Sequence, residues 1–277
     1  MHVASLQMVS TPDLPTNLQT AAWLLAEAAK AGAELAVLPE YFCVMGLHDT
    51  DKVALQEPFG HGPVQDFLSQ QARALGLWIV GGTLPLATPE GTDRSRIRNA
   101  CLVFSPSGQC VARYDKIHLF RFVQGGEGGE AYDETRVIEP GHAPVTFALP
   151  SRDGHTYTVG LSVCYDLRFP ELYRAYADQG ADLLLVPSAF THTTGQAHWE
   201  VLLRARAIEN LAYVVAAAQG GLHVNGRRTW GQSLVASPWG EVLAQQPQGE
   251  GVVLAEVDPA RLQSVRQQLP ALSHRTL

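Results

Sequence analysis

Two stretches of the chain, AKAGAELAVLPEYF (29–42) and ADQGADLLLVPSAF (177–190), align without a gap. Alanine, glycine, alanine, an acid, leucine, proline and phenylalanine recur in register. Each stretch runs from the end of a helical pattern into a short apolar run and stops at a proline. Each is preceded by an apolar run and then a helix-like segment. The repeat therefore predicts two related β-α-β units, and parallel strands in such units end at one edge, where α/β folds place their sites. Glu40 follows the second strand of the first unit, and Cys164 ends the first strand of the second.

The rest of the chain fills in around these units. Leu18, Ala21, Ala22, Leu25, Ala28 and Ala29 give a helical stripe that ends at Gly32. Apolar and turn patterns predict strands over 3–9, 35–38 and 77–84, a helix over 63–75, and a hairpin of 98–105 with 109–114. Beyond it they predict a strand at 158–163, a helix at 170–179, a strand at 183–186 and a helix at 197–210. Several strands then run to 257, followed by a last helix at 259–268. No Pro/Ser/Gly-rich linker interrupts the sequence, so residues 1–277 read as a single domain, a layered α/β sandwich.

Composition excludes several classes of partner. A net charge of −7 offers no basic face for nucleic acid or anionic lipid. No apolar run nears the roughly 18 residues needed to cross a bilayer, and residues 1–9 lack a basic start and a long apolar core. The ten histidines form no metal-ligand spacing, so neither a metal nor an organic cofactor is expected. Four cysteines in a chain this long are no disulfide scaffold, and Cys101 and Cys110 read as small core residues of the hairpin in a reducing cytoplasm.

Three residue types remain that together make a machine. Cys164 ends an apolar strand, yet Tyr165, Asp166 and Arg168 follow at once, too polar for mid-core; a helix starting beyond it would lower the thiol pKa. Glu40 stands directly after LAVLP, at a sheet edge where it could transfer a proton. Lys116 follows the hairpin in an apolar setting with Ile117, Leu119 and Phe120. A thiol needs a base, and a tetrahedral intermediate needs a cation or N–H donors at its oxygen. Each residue alone has a plainer reading as core cysteine, strand-end carboxylate or surface lysine.

LPEYF, YDKIHLF and GLSVCYDLRFPELYR resemble, in order, the three signature segments of the nitrilase-like carbon–nitrogen hydrolases. The similarity extends over nearly the whole chain. Within the family, AHWEVLLRARAIE and YVVAAAQGGLH are most similar to the deaminated glutathione amidase branch. The resemblance implies a four-layer α-β-β-α sandwich and a Glu-Lys-Cys triad. It gives Cys164 as nucleophile, Glu40 as general base, Lys116 as the stabilising cation, and Glu134, in YDETRVIEPG, as a second glutamate holding Lys116. Tyr165, Arg168, Phe190 and Thr194 would line the substrate pocket, Arg168 either gripping a substrate carboxylate or pairing with Asp166 or Glu171.

The implied reaction is cofactor-independent hydrolysis of a primary amide on a small carboxylate compound, by a homodimer or higher homo-oligomer. An omega-amidase, a carbamoyl hydrolase and a nitrilase use the same triad, and a catalytically silent binding protein could keep the fold. Two departures from the family pattern concern substrate detail. Arg121 stands where relatives carry an aspartate after HLF, and Trp230-Gly231-Gln232-Ser233 replaces a GHS segment. Between Lys116 and Glu134, the run GGEGG (125–129) reads plainly as a flexible surface loop and, more sharply, as a lid with glycine hinges. Glu200 and Arg204 form an i,i+4 pair on a scaffold helix.

Overall fold

A computed structural model describes residues 1–89, 95–123 and 131–276. β1 (His2–Gln7) leads into α1 (Leu14–Lys30), and β2 (Leu35–Val37) returns parallel to β1 with Leu35 opposite Val3. Asp13 caps α1 by accepting from Thr16 N at 2.9 Å, and the chain leaves the helix through Gly32 at φ 88°, a left-handed conformation that glycine adopts without strain. The short helix α2 (Asp51–Ala54) and α3 (Pro63–Leu75) precede β3 (Trp78–Val80), which pairs in parallel with β2. β4 (Leu84–Ala87) and β3 pair with successive stretches of β5 (Ile97–Phe104), and β6 (Cys110–Asp115) takes the opposite edge of β5.

The strand expected over 77–84 is thus two strands, broken at Gly81 and Gly82. Gly82 has φ 50°, and a Cβ there would fall 2.0 Å from the Pro39 carbonyl oxygen. The break lets the backbone press against the turn that carries Glu40, and Thr83 Oγ1 accepts from Tyr41 N at 2.9 Å.

β7 (Arg121–Val123) and β8 (Ala131–Asp133) form a small ribbon; the GGEGG segment lies outside the described residues. The second sheet is built from β9 (Thr146–Pro150), β10 (Thr156–Leu161), α4 (Pro170–Asp178), β11 (Leu183–Leu185), α5 (His192–Asn210), β12 (Tyr213–Ala216), β13 (Ser233–Ala236) and β14 (Val242–Gln246). Its order is β14-β13-β12-β11-β10-β9, with β10, β11 and β12 parallel. β15 (Gly251–Glu256) then crosses back to pair antiparallel with β1, and α6 (Pro259–Gln268) follows. α5 starts at His192, five residues before the expected 197, because Thr191 caps a first turn, HTTGQ, that carries no apolar stripe.

Alternation along the strands makes the layers. Val3, Leu35 and Val37 enter the core between the sheets, together with Val159, Leu161 and Leu183. Ala4, Leu6, Ala36 and Leu38 face the other way and pack with Leu24, Leu25 and Leu68 of α1 and α3. Trp199 and Leu203 of α5 and Tyr173 of α4 cover the outer face of the second sheet. The result is the four-layer α-β-β-α sandwich, with both β-α-β units at its centre. The cysteines are all free; Cys101 is buried as expected, but Cys110 is exposed, since the register sets it opposite Phe104 at the strand's outer end.

Candidate active site

The two repeated segments meet at the site. Glu40 sits in the turn after β2, where Pro39 stops the strand and Tyr41 takes φ 58°. The matching turn after β11 contributes Ala189, whose N–H donates to Glu40 Oε2 at 3.0 Å. Cys164 follows β10 at φ 50°, its own N–H donating to Pro187 O at 2.9 Å. A left-handed conformation at a residue other than glycine is a strained placement that the surrounding bonds must hold. Lys116 follows β6, and Glu134 opens a short 3-10 turn after β8.

Lys116 is only 1% exposed and Glu40 likewise 1%. The ammonium donates to Glu40 Oε1 at 2.9 Å and to both Glu134 oxygens at 2.9 and 2.8 Å. Asn99 Nδ2 donates to Glu40 Oε1 at 3.0 Å; Tyr41 OH and Phe120 N each donate to Glu134 at 2.7 Å. Burial opposes the charge on Lys116, but the Glu134 and Glu40 carboxylates outweigh it and hold its pKa above the ordinary lysine value. Burial likewise pushes the Glu134 carboxyl up, and the Lys116 ammonium and its hydrogen bonds bring it below the usual range.

The thiol behaves differently. Burial and then the Glu40 charge push the Cys164 pKa well above its ordinary value, with Lys116 offsetting only part. This corrects the expectation of a helix-lowered pKa. Cys164 to Arg168 form a 3-10 turn, and α4 begins only at Pro170, so no long helix dipole ends at the sulfur.

An open pocket of about 270 Å³ lies over these groups, with Glu40, Glu134 and Cys164 in its wall. The carbon–nitrogen hydrolase family profile matches residues 2–267. The chain is a carbon–nitrogen hydrolase. It is 41% identical over 272 residues to a deaminated glutathione amidase of Synechocystis, covering 98% of this chain and 97% of that one. The human deaminated glutathione amidase is 42% identical over 274 residues, covering 99% of this chain and 81% of that one. Among solved structures, Saccharomyces cerevisiae Nit3, of branch 10 of the nitrilase superfamily, matches at a TM-score of 0.86 and 30% identity, covering 100% and 97% of the two chains.

The hydrolase gathers all eight expected site residues in one place. Tyr165, Arg168, Phe190 and Thr194 line the pocket, while Lys116 stands behind Glu40 and Glu134. Arg168 makes neither of the ion pairs weighed from sequence. It packs 5.3 Å from the Phe190 ring and 5.7 Å from the Tyr165 ring, with Nη1 3.2 Å from His198 Nδ1. Asp166 is committed elsewhere, because it accepts from Tyr114 OH at 2.6 Å, Val163 N at 2.8 Å and His118 N at 3.0 Å. This buried carboxylate ties the Cys164 turn to the segment after Lys116.

Asn99, Tyr41 and Arg227 of the hydrolase escaped the sequence reading, as did the tying role of Asp166. Tyr41 and Asp166 lie inside the signature segments and could have been noticed there. Asn99, mid-strand in β5, and Arg227, in a loop before β13, carry no local signal. Arg227 lines the pocket and donates through Nη2 to Ala189 O at 3.0 Å. Arg121, on the unusual loop, is instead exposed and pairs with Asp133 at 3.7 Å.

Proposed function

We propose that this protein hydrolyses an amide of a small carboxylate compound, a primary amide or the secondary amide of deaminated glutathione, through a thioester on Cys164. The observation that carries this reading is Lys116 held at 2.8–2.9 Å between Glu40 and Glu134, two carboxylates that share one pocket with Cys164. Glu40 takes the thiol proton as sulfur attacks the amide carbon, which suits a thiol that stays protonated at rest. The charge of Lys116 and the Tyr165 N–H stabilise the resulting oxyanion. Collapse of the intermediate breaks the carbon–nitrogen bond, and Glu40 returns the proton to the departing nitrogen, releasing ammonia from a primary amide or an amine from a secondary one. Water then attacks the thioester carbon and gives a proton to Glu40; the acid leaves and the proton returns to sulfur. No step calls on a metal or an organic cofactor.

Glu134 positions Lys116, and Arg168 receives the substrate carboxylate near the reacting end, with Phe190 and Thr194 shaping the wall beside it. Residues 1–277 act as a single domain, a reading supported by an apolar core that draws on both sheets. No helix among the described residues is long and apolar enough to cross a membrane, and the free cysteines, one of them exposed, suit a reducing cytoplasm. Assembly as a homodimer or higher homo-oligomer belongs to the same reading, with no nucleic-acid or membrane partner. A screen for released ammonia or amine across deaminated glutathione, keto-acid amides, carbamoyl compounds and nitriles tests it. Turnover of carboxylate-bearing amides is expected, and turnover of nitriles alone or of no compound would overturn it.

A further inference from the structure

Arg227 is the wall between two spaces. On one side is the Cys164 pocket of about 270 Å³; on the other is a groove of about 1780 Å³ bordered by Lys52, Arg136, Tyr132 and the 45–50 segment. For a longer substrate reacting at Cys164 the groove lies directly beyond Arg227, which lines both spaces.

The groove is built for negative charge. Among the described residues lining it, Lys52, Arg136 and Arg227 face one carboxylate, Asp49, on a chain whose net charge is −7. Asp49 stands 3.8 Å from Lys52, whose ammonium lies 4.3 Å from the centre of the Tyr41 ring. Arg136 and Arg227 have no carboxylate within ion-pair distance among the described residues. Arg227 Nε is buried without a hydrogen-bond partner there, while its guanidinium stacks 4.9 Å from the Tyr132 ring. A buried, unmatched guanidinium N–H is costly unless a ligand supplies the acceptor.

We propose that this groove is an anion subsite. It takes the distal carboxylate of an elongated, dianionic amide whose reacting end occupies the Cys164 pocket, with Arg227 gripping at the junction and Arg136 on the outer wall. The inference rests on the amidase reading above and adds the far end of its substrate.

The test uses two primary amides of equal length, one ending in a free carboxylate and the other in its methyl ester, followed by ammonia release. Wild-type protein should prefer the carboxylate. In Arg227→Gln, which keeps an N–H for Ala189 O but loses the charge, the ratio of kcat/KM for carboxylate over ester should fall about 10- to 100-fold, mostly through KM. Arg136→Ser, exposed and away from Glu40, should lower the same ratio a few-fold, and added salt should flatten it. Equal losses on both substrates in both variants would reduce Arg227 to a prop for Ala189 and overturn the subsite. Ammonia from both substrates without any wild-type preference sinks the subsite and leaves the amidase reading standing. Ammonia from neither, with turnover of no other amide, fells the amidase reading and the subsite with it.

Discussion

Burial and the Glu40 carboxylate both oppose a thiolate at Cys164, so in the proposed reaction the sulfur arrives carrying its proton. An ultraviolet titration of wild type against Cys164→Ala should therefore reveal no Cys164 thiolate up to about pH 9, above the ordinary thiol value of about 8.5. A thiolate signal near neutrality would contradict the proton path through Glu40. Cys164→Ala itself should fold normally and retain less than about a percent of wild-type ammonia release, on the scale of nucleophile deletions. Lys116→Arg keeps the charge but cannot fit a planar fork where a point charge meets two carboxylates. Single-turnover acylation should slow by at least ~100-fold, as for loss of an oxyanion donor; weaker binding with normal acylation would deny Lys116 that role. Arg168→Leu should lower the preference for anionic over neutral short amides by roughly 10- to 100-fold, the worth of a charge-assisted pair. Equal loss on both would make Arg168 a packing residue for Tyr165 and Phe190.

Between residue and molecule lie the turns, and here the placement of Glu40 depends on a glycine in another strand. Gly82→Ala would put a Cβ against the Pro39 carbonyl at φ 50°, a combination of strain and overpacking costing about 1–3 kcal/mol. Thermal melting should fall by several degrees and kcat should drop with it, since the displaced backbone is the Glu40 turn. Gly32→Ala, at φ 88° with open space around it, should lower the melting temperature with no effect on kcat. Comparable kcat losses in both would detach Gly82 from the site. These turns also mark what sequence could reveal. Glu40 and Cys164 were legible because each follows a short apolar run, and the repeat told which edge they share; Lys116 was read from the apolar residues after it and from its family segment. The Gly81-Gly82 break, the early start of α5 and the Asn99 contact were not. Each is decided by a partner distant in sequence, where local periodicity carries no information.

At the scale of the whole molecule, the buried charge set should shape stability against pH. The folded pKa of Lys116 is raised, so its contribution is complete below the unfolded value of about 10.4 and is lost as pH climbs through the folded one. The folded pKa of Glu134 is lowered, so its contribution is complete above about 4.3 and is lost as pH falls through the folded value. Melting temperatures should hold a plateau between these limits, and Glu134→Gln should flatten the acid limb. Matching acid limbs in the two proteins would show that the carboxylate does not govern it.

β15, the strand that returns to β1, sets a different kind of limit. A chain emerging residue by residue from a ribosome has β1 long before that strand's antiparallel partner, Gly251–Glu256, because β2 to β14 are made in between. Until then β1 has one neighbour, β2, and an open edge that any extended segment could occupy. Glu40 and Ala189 come from opposite halves of the sequence, so they too must wait. Synthesis must then run through the whole second sheet before the first one closes, leaving this enzyme's nascent form dependent on whatever shields a bare strand in the cell.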